Sequence, residues 1–163
     1  MQGIYYRTSI LSAAAALFFL AACGSHDHGN AGPDEDACEH MQAGPANAVT
    51  AAATGASAPN VSAAHTRHDI ALVDVAGGKG GNVSYTADED NEFVFALNKV
   101  LSFALRFGDS VISPESSKST GFPCAEVKVT HTYDLEPGTY TLGFGPTSET
   151  SVSLVAVEAG HGH

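Results

Sequence analysis

Histidine is the residue type in this 163-residue sequence with the clearest potential for chemistry. Imidazole is the commonest neutral side-chain ligand for zinc and copper, so clustered histidines indicate a transition-metal site. Because protonated imidazole cannot ligate, such binding weakens as pH falls through the histidine pKa, about 6.5 in short peptides. The sequence has 8 histidines, in these groups: His26 and His28; His40; His65 and His68; His131; His161 and His163.

Other kinds of site find little support in the sequence. It has no Gly-x-Ser-x-Gly nucleophile motif, and the glycine-rich "AGGKGGN" (76–82) lacks a Ser or Thr after Lys79 and the spacing of a phosphate-binding loop. The acidic "DEDNE" (88–92) does not match an EF-hand loop and is typical of a solvated turn. We therefore expect a protein that is not an enzyme.

The charge of the chain excludes another class of partner. There are 18 acidic and 7 basic residues, for a formal net charge of −11. Such a surface repels nucleic acid and attracts cations, so no nucleic-acid partner is expected.

Alternating apolar and polar residues predict the elements that must position these histidines. From residue 68 onward the pattern has period two, with turn residues between the runs and no helical period. We therefore expect an all-β fold, an antiparallel β-sandwich of about seven strands, with a tight hairpin turn at Asn98-Lys99. The runs are HDIALVDV (68–75), NVSYTA (82–87), EFVFAL (92–97), VLSFALRF (100–107), AEVKVTHTY (125–133), TYTLGF (139–144) and SVSLVAV (151–157).

A short motif supports this architecture. "DLEPGTYTL" (134–142) resembles the Leu-x-Pro-Gly-x-x-Tyr corner of Greek-key sandwiches found in secreted bacterial domains, although Tyr140 comes one residue earlier than in fibronectin-type domains. In that family the tyrosine hydroxyl bonds back to the backbone of the corner. The resemblance implies an architecture and carries no function.

The sequence has 3 cysteines, and Cys38 and Cys124 form an even pair in a chain that the amino terminus marks for export. Our leading interpretation is a Cys38–Cys124 disulfide, which would stabilise the fold by about 4 kcal/mol through loop-closure entropy. The alternative is a free Cys38 thiol that ligates a metal.

The predicted topology groups some of the histidines. If each turn reverses the chain and residues 108–123 add no strand, the first and fifth strands begin at the same end of the sandwich. This places His65 and His68 together near Cys124, and a disulfide would bring His40 there, beside the acidic Glu39 and Asp69. The predicted metal ligands are therefore His40, His65 and His68.

A second and weaker candidate group is His131, His161 and His163 at the opposite end of the sandwich. His131 lies on the inward face of its strand, so a packed, hydrogen-bonded histidine is its plainer interpretation. Histidines in terminal tails bind metals weakly in almost any protein.

The amino terminus has the features of an export signal. One basic residue, Arg7, precedes an apolar run of 13 residues (10–22), which is shorter than the roughly 20 residues that a membrane span needs. Leu20-Ala21-Ala22-Cys23 then resembles the bacterial lipobox. The resemblance implies cleavage before Cys23, acylation of its sulfur and amino group, and anchoring to a membrane of the cell envelope. Gly24, in place of Asp, implies the outer rather than the inner membrane.

These features predict the following organisation: a signal peptide (1–22), a lipidated low-complexity tether (23–64), a β-sandwich domain (65–160) and a His-rich tail (161–163). The function expected is extracytoplasmic binding or buffering of zinc or copper, with a metal transporter or another envelope protein as partner. The alternative is a structural or protein-interaction sandwich without a cofactor.

Overall fold

The computed structural model describes residues 32–160. One helix, α1, is followed by eleven strands, with a 3-10 turn at Gly55–Ser57. The elements are α1 (Pro33–Ala43), β1 (Ala46–Thr50), β2 (Arg67–Ala71), β3 (Val73–Val75), β4 (Gly78–Ala87), β5 (Asn91–Leu97), β6 (Phe103–Phe107), β7 (Ser110–Ile112), β8 (Ser116–Lys118), β9 (Val129–Leu135), β10 (Gly138–Thr147) and β11 (Ser151–Glu158).

The strands form two sheets. The six-stranded sheet has the order β1-β2-β11-β5-β9-β8, and the five-stranded sheet has the order β3-β4-β10-β6-β7. Every pair of neighbours is antiparallel except β1 and β2, which are parallel. The predicted all-β, antiparallel sandwich is therefore confirmed. Residues 32–160 contain eleven strands rather than about seven, because strands of three residues such as β7 and β8 are too short for alternation to reveal them.

The hydrophobic core fills the space between the two sheets. Phe95, Leu105, Leu142 and Leu154 come from four different strands, and each is 0% exposed. Their side chains alternate with outward-facing residues along each strand, as the period-two pattern predicts.

The predicted hairpin at Asn98-Lys99 is wrong. β5 pairs with β9 and β11 in the six-stranded sheet, whereas β6 pairs with β7 and β10 in the other sheet. The chain therefore crosses between the sheets after β5. The misleading signal was a short polar gap between two apolar runs, which is compatible with a sheet-to-sheet crossover as well as with a hairpin.

A second apolar cluster lies on the outer face of the six-stranded sheet, beneath α1. Ala37 and Met41 of the helix pack against Val94 and Val155 of the sheet, and all four are buried. Burial on this face as well as on the core face explains why β5 is an almost continuous apolar run.

The predicted disulfide is confirmed, and it fastens α1 to the rest of the fold. Cys38 in the middle of the helix is bonded to Cys124, with the two Cα atoms 5.7 Å apart. The segment 33–64, assigned from composition to the tether, contains α1 and β1. Regular structure is therefore already present about thirty residues before the expected boundary at residue 65. The polar, acidic sequence of α1 and the alanine-rich sequence around β1 hid these elements, because their stability comes from packing and from the disulfide.

The tyrosine corner is present despite its shorter spacing. The Tyr140 hydroxyl donates a hydrogen bond of 2.8 Å to the backbone carbonyl of Glu136. This contact fixes the turn between β9 and β10, where the chain passes from one sheet to the other.

Three of the four strands at the sheet edges, β3, β7 and β8, have three residues each, and the fourth, β1, has five. No helix among residues 32–160 has the length and apolar character to cross a bilayer. The predicted signal peptide, the lipidation site Cys23 and the terminal histidines lie outside the described residues.

Candidate metal centre

Helix α1 places two potential ligands on the same face, one turn apart. Pro33 occupies the first turn together with Asp34, Glu35 and Asp36, which favours a helix start because acidic side chains interact well with the positive end of the helix dipole. Asp36 and His40 are four residues apart, the spacing at which helical side chains meet. The distance from Asp36 Oδ1 to His40 Nε2 is 2.8 Å.

The third potential ligand, His65, lies just before β2. Its φ angle of 53° makes it the one non-glycine residue with a positive φ in the described part of the chain. Such a conformation costs free energy for a residue with a Cβ atom, and it tends to persist where the surroundings or a function require it. In this conformation the His65 ring contacts the His40 ring: the distance from His65 Nδ1 to His40 Nε2 is 2.8 Å, and the ring centroids are 4.7 Å apart.

These three side chains bring their donor atoms to one point. One ligand atom from each of Asp36, His40 and His65 lies within 4.8 Å of the others. Around a tetrahedral zinc ion, with bonds of about 2.0–2.2 Å, neighbouring donors are roughly 3.3 Å apart, so small rotations would admit an ion. His40 is buried, Asp36 is half-buried and His65 is exposed, so the group is anchored on one side and open to solvent on the other.

The carboxylate of Asp36 is a side chain that the protein itself does not fully satisfy. Its Oδ1 atom is shielded from solvent, and although it lies close to His40 Nε2 it accepts no hydrogen bond of normal geometry from a described residue. A buried acceptor without a donor costs about 1–3 kcal/mol. A metal cation between the three side chains would supply the positive partner that this oxygen lacks.

The structure brings His40 and His65 together but places His68 elsewhere. His68 is 1% exposed and points toward the core, on the same face of β2 as the fully buried Ile70. Its Nδ1 atom lies 3.4 Å from Asn47 Nδ2. Successive residues of β2 point to opposite faces, and His68 points into the core, whereas His65 lies in the turn before the strand. The two histidines are therefore close in sequence but do not share a site.

Burial lowers the pKa of His68, and the same cause lowers the pKa of His131. The unfolded chain therefore binds more protons than the native protein between the lowered native pKa values and about 6.5. We expect the free energy of unfolding to decrease as pH falls from 6.5 toward these lowered values. Urea titrations from pH 8 to pH 5 in the presence of EDTA would measure this slope. The double variant His68→Gln/His131→Asn should be flatter than wild type, and equal slopes would contradict the prediction.

The second candidate group is represented in the described residues by His131 alone. His131 Nδ1 lies 2.7 Å from Ser117 Oγ, and its ring stacks on Phe103 with a centroid distance of 5.1 Å and an interplanar angle of 12°. These contacts match the packed, hydrogen-bonded histidine expected on an inward face. His161 and His163 lie outside the described residues.

The acidic residues near the site also differ from expectation. Glu39 is exposed on the helix, and Asp69 interacts with Arg67 and Ser153. The acid that joins the histidines is Asp36. The i, i+4 spacing of Asp36 and His40 could have indicated this pair, but only if a helix had first been predicted over 33–43.

Comparison with known proteins finds no matching family model and no matching curated protein. These comparisons therefore supply no function for the chain.

Proposed function

We propose that the protein captures or buffers zinc or copper in the cell envelope, through Asp36, His40 and His65. The observation that carries the proposal is the convergence of these three donors on one point, with both 2.8 Å contacts made by His40 Nε2. Two imidazole nitrogens and one carboxylate oxygen form a donor set that suits Zn²⁺ and Cu²⁺.

Partial exposure of the centre supports capture and release rather than permanent structural binding. Three protein donors leave a coordination position open, whereas structural zinc sites are closed by four. His65 is exposed and gives an entry path for the ion, while His40 and Asp36 are held on a helix fixed by the disulfide. The net charge of −11 favours the approach of cations.

The proposed location depends on the amino-terminal sequence. The lipobox-like Leu20-Ala21-Ala22-Cys23 supports acylation of Cys23 and a membrane anchor, with the outer membrane as the favoured site. The disulfide is consistent with this location, since disulfides persist in oxidising compartments. In that setting the protein would pass its metal to a transporter or to another envelope protein.

The alternative proposal is a structural or protein-interaction module without a cofactor. It is favoured by three large apolar side chains on the surface: Val100, Phe107 and Val111 are 72%, 52% and 60% exposed. Under this alternative, changes at the metal centre would leave partner binding unchanged.

The deciding experiment is a calorimetric titration of the full chain in detergent with Zn²⁺ and with Cu²⁺ at pH 7.5. The variant His26→Asn/His28→Asn/His161→Asn/His163→Asn removes the histidines outside the described residues and leaves the proposed centre intact. We expect it to bind about one metal ion per chain with submicromolar affinity. At about 100 times Kd, the ion should stabilise the fold by roughly 2.7 kcal/mol in chemical denaturation.

Two results would count against metal capture. One is weak, multi-site binding by wild type that disappears in the four-histidine variant, which would assign all binding to the terminal histidines. The other is a variant whose free energy of unfolding is unaffected by saturating metal, because an ion held between α1 and His65 must stabilise the native state.

A further inference from the structure

A cavity of about 450 Å³ opens beside the metal centre. It lies at one end of the sandwich, where β4 and β11 end, β5 begins, and the chain enters β2. Asp36 and His65 form part of its wall, but His40 does not. The rest of the wall belongs to residues that the metal centre does not use.

The charged residues of this wall, apart from His65, are all acidic. Asp88, Glu89 and Glu158 line the cavity together with Asp36, and no lysine or arginine does. Among the described residues, Asp88, Glu89 and Glu158 form no salt bridge. Glu158 accepts one long hydrogen bond, 3.4 Å, from Asn91 Nδ2. These three carboxylates are exposed to solvent, and their summed negative charge makes the cavity attractive to a positively charged ligand.

Tyr85 is an independent indication of a ligand. It is 7% exposed, and its ring packs edge-on against Phe93 and Phe95, with centroid distances of 5.6 and 5.0 Å. Its side chain lines the cavity, and no hydrogen bond joins its hydroxyl to a described residue. The hydroxyl is not among the solvent-shielded polar atoms of the described residues that lack a partner, so it is accessible from the cavity and can bond a ligand there.

The protonation state of Tyr85 suits this role. Burial raises the pKa of its hydroxyl far above the usual value, and the charges of Glu158 and Asp88 raise it further. The group therefore stays protonated, with one O–H to donate to a carboxylate and lone pairs to accept from a ligand.

The shape of the wall favours an organic cation over a second metal ion. Among the described residues, no second set of three carboxylate, histidine or cysteine donors converges as those of the metal centre do. The cavity is also much larger than a bare ion, and Phe93, Ala156 and Val157 give it an apolar side. A cation carried on an apolar stem uses both parts: the stem packs on the apolar side, and the charge meets carboxylates and aromatic rings.

We infer that this cavity binds a primary ammonium or guanidinium group on a short apolar stem. Glu158 and Asp88 receive the charge, and the Tyr85 hydroxyl oxygen accepts one N–H hydrogen bond. The inference goes beyond metal capture and does not require a bound metal. Its ligand would be either a free amine or a lysine or arginine side chain of a partner protein.

The test uses the full chain in detergent with EDTA at pH 7.5 and follows binding by NMR titration. The probes are n-butylammonium, the blocked lysine N-acetyl-lysine amide, and neutral n-butanol. We expect at least one of the cationic probes to bind saturably in the millimolar range, and n-butanol to bind at least tenfold more weakly. Tighter binding of n-butylammonium would point to a free amine, and tighter binding of the blocked lysine to a protein side chain.

Variants locate the site. Tyr85→Phe removes only the hydroxyl and should weaken binding of the cationic probe by about 3–10-fold, while Glu158→Gln should weaken it by about 10-fold or more. Glu115→Gln, which removes an exposed carboxylate outside the cavity wall, should have no effect. His40→Asn should weaken zinc binding by at least about 100-fold and leave amine binding intact, so the two proposals can fail separately.

Three outcomes would overturn the inference. In the first, n-butanol binds as well as the cationic probes, which would make the cavity a simple apolar pocket. In the second, Tyr85→Phe and Glu158→Gln both bind the cationic probe like wild type. In the third, Ca²⁺ displaces the cationic probe at lower concentration than the probe itself requires, which would identify a site for a hard metal ion.

Discussion

Replacing both Cys38 and Cys124 by alanine is expected to lower the free energy of unfolding by about 4–5 kcal/mol. The disulfide joins residues 86 apart in sequence, and closing a loop of that length restricts the unfolded chain by this amount in the chain-entropy model. The native state also loses a covalent tie between α1 and the rest of the fold. Because many domains have a stability of only about 5–15 kcal/mol, this is a large fraction of the total.

The same substitution should also weaken metal binding. Cys38 lies between Asp36 and His40 on α1, so the disulfide holds the two helical ligands in position opposite His65. Without it, the helix is retained by noncovalent contacts alone, among them the apolar cluster around Ala37 and Met41 and the salt bridge between Asp34 and Lys118. We expect zinc affinity to fall at least tenfold, because part of the binding free energy must then be used to order the helix.

Urea unfolding of wild type and of the double variant, each with and without the reductant TCEP, would measure the effect. TCEP should shift the midpoint of wild type toward that of the variant and leave the variant unchanged. A loss below about 1 kcal/mol, or a variant that still responds to TCEP, would contradict the prediction.

His40→Asn is expected to weaken zinc binding by at least about 100-fold. Loss of a partner that merely orients a ligand already costs 10–100-fold in metal affinity, and His40 is the ligand that touches both of the others. Asp36→Asn should have a smaller effect, since the amide oxygen keeps a weaker donor at the same place. Both variants would be measured by zinc titration in the background without the terminal histidines.

The matched control is His131→Asn, which removes a partly buried histidine on the inward face of β9, hydrogen-bonded to Ser117. It should bind zinc like its parent protein. Circular dichroism would show that each variant keeps its fold. Equal affinities for His40→Asn and His131→Asn would exclude Asp36, His40 and His65 as the metal centre.

Much of the fold followed from local patterns, and the remainder depended on long-range contacts. Alternation revealed the strands around Phe95, Leu105 and Leu142, because each buries one face in a common core. It could not show that the chain changes sheets after Leu97, since a hairpin and a crossover both place two apolar runs in succession. Helix α1 was missed because its burial depends on a sheet and a cysteine distant in sequence.

The candidate site was likewise predictable only in part. His40 and His65 could be paired from the cysteines, because the Cys38–Cys124 disulfide draws the segment before His40 toward the strand that follows Cys124. The topology behind this pairing assumed no strand in 108–123, where β7 and β8 in fact lie. Asp36 is one of 18 acidic residues, and only a helix makes it a neighbour of His40. Tyr85 offered no signal, since an inward-facing tyrosine is ordinary in a sandwich.

The short strands at the sheet edges bear on how the protein behaves when many copies are crowded together. An open edge presents unpaired backbone groups that can recruit a strand from a neighbouring molecule. With three of the four edges only three residues long, and Lys118 at the end of one of them, each offers too few hydrogen bonds to hold such a neighbour. Copies concentrated on a surface would therefore resist edge-to-edge aggregation.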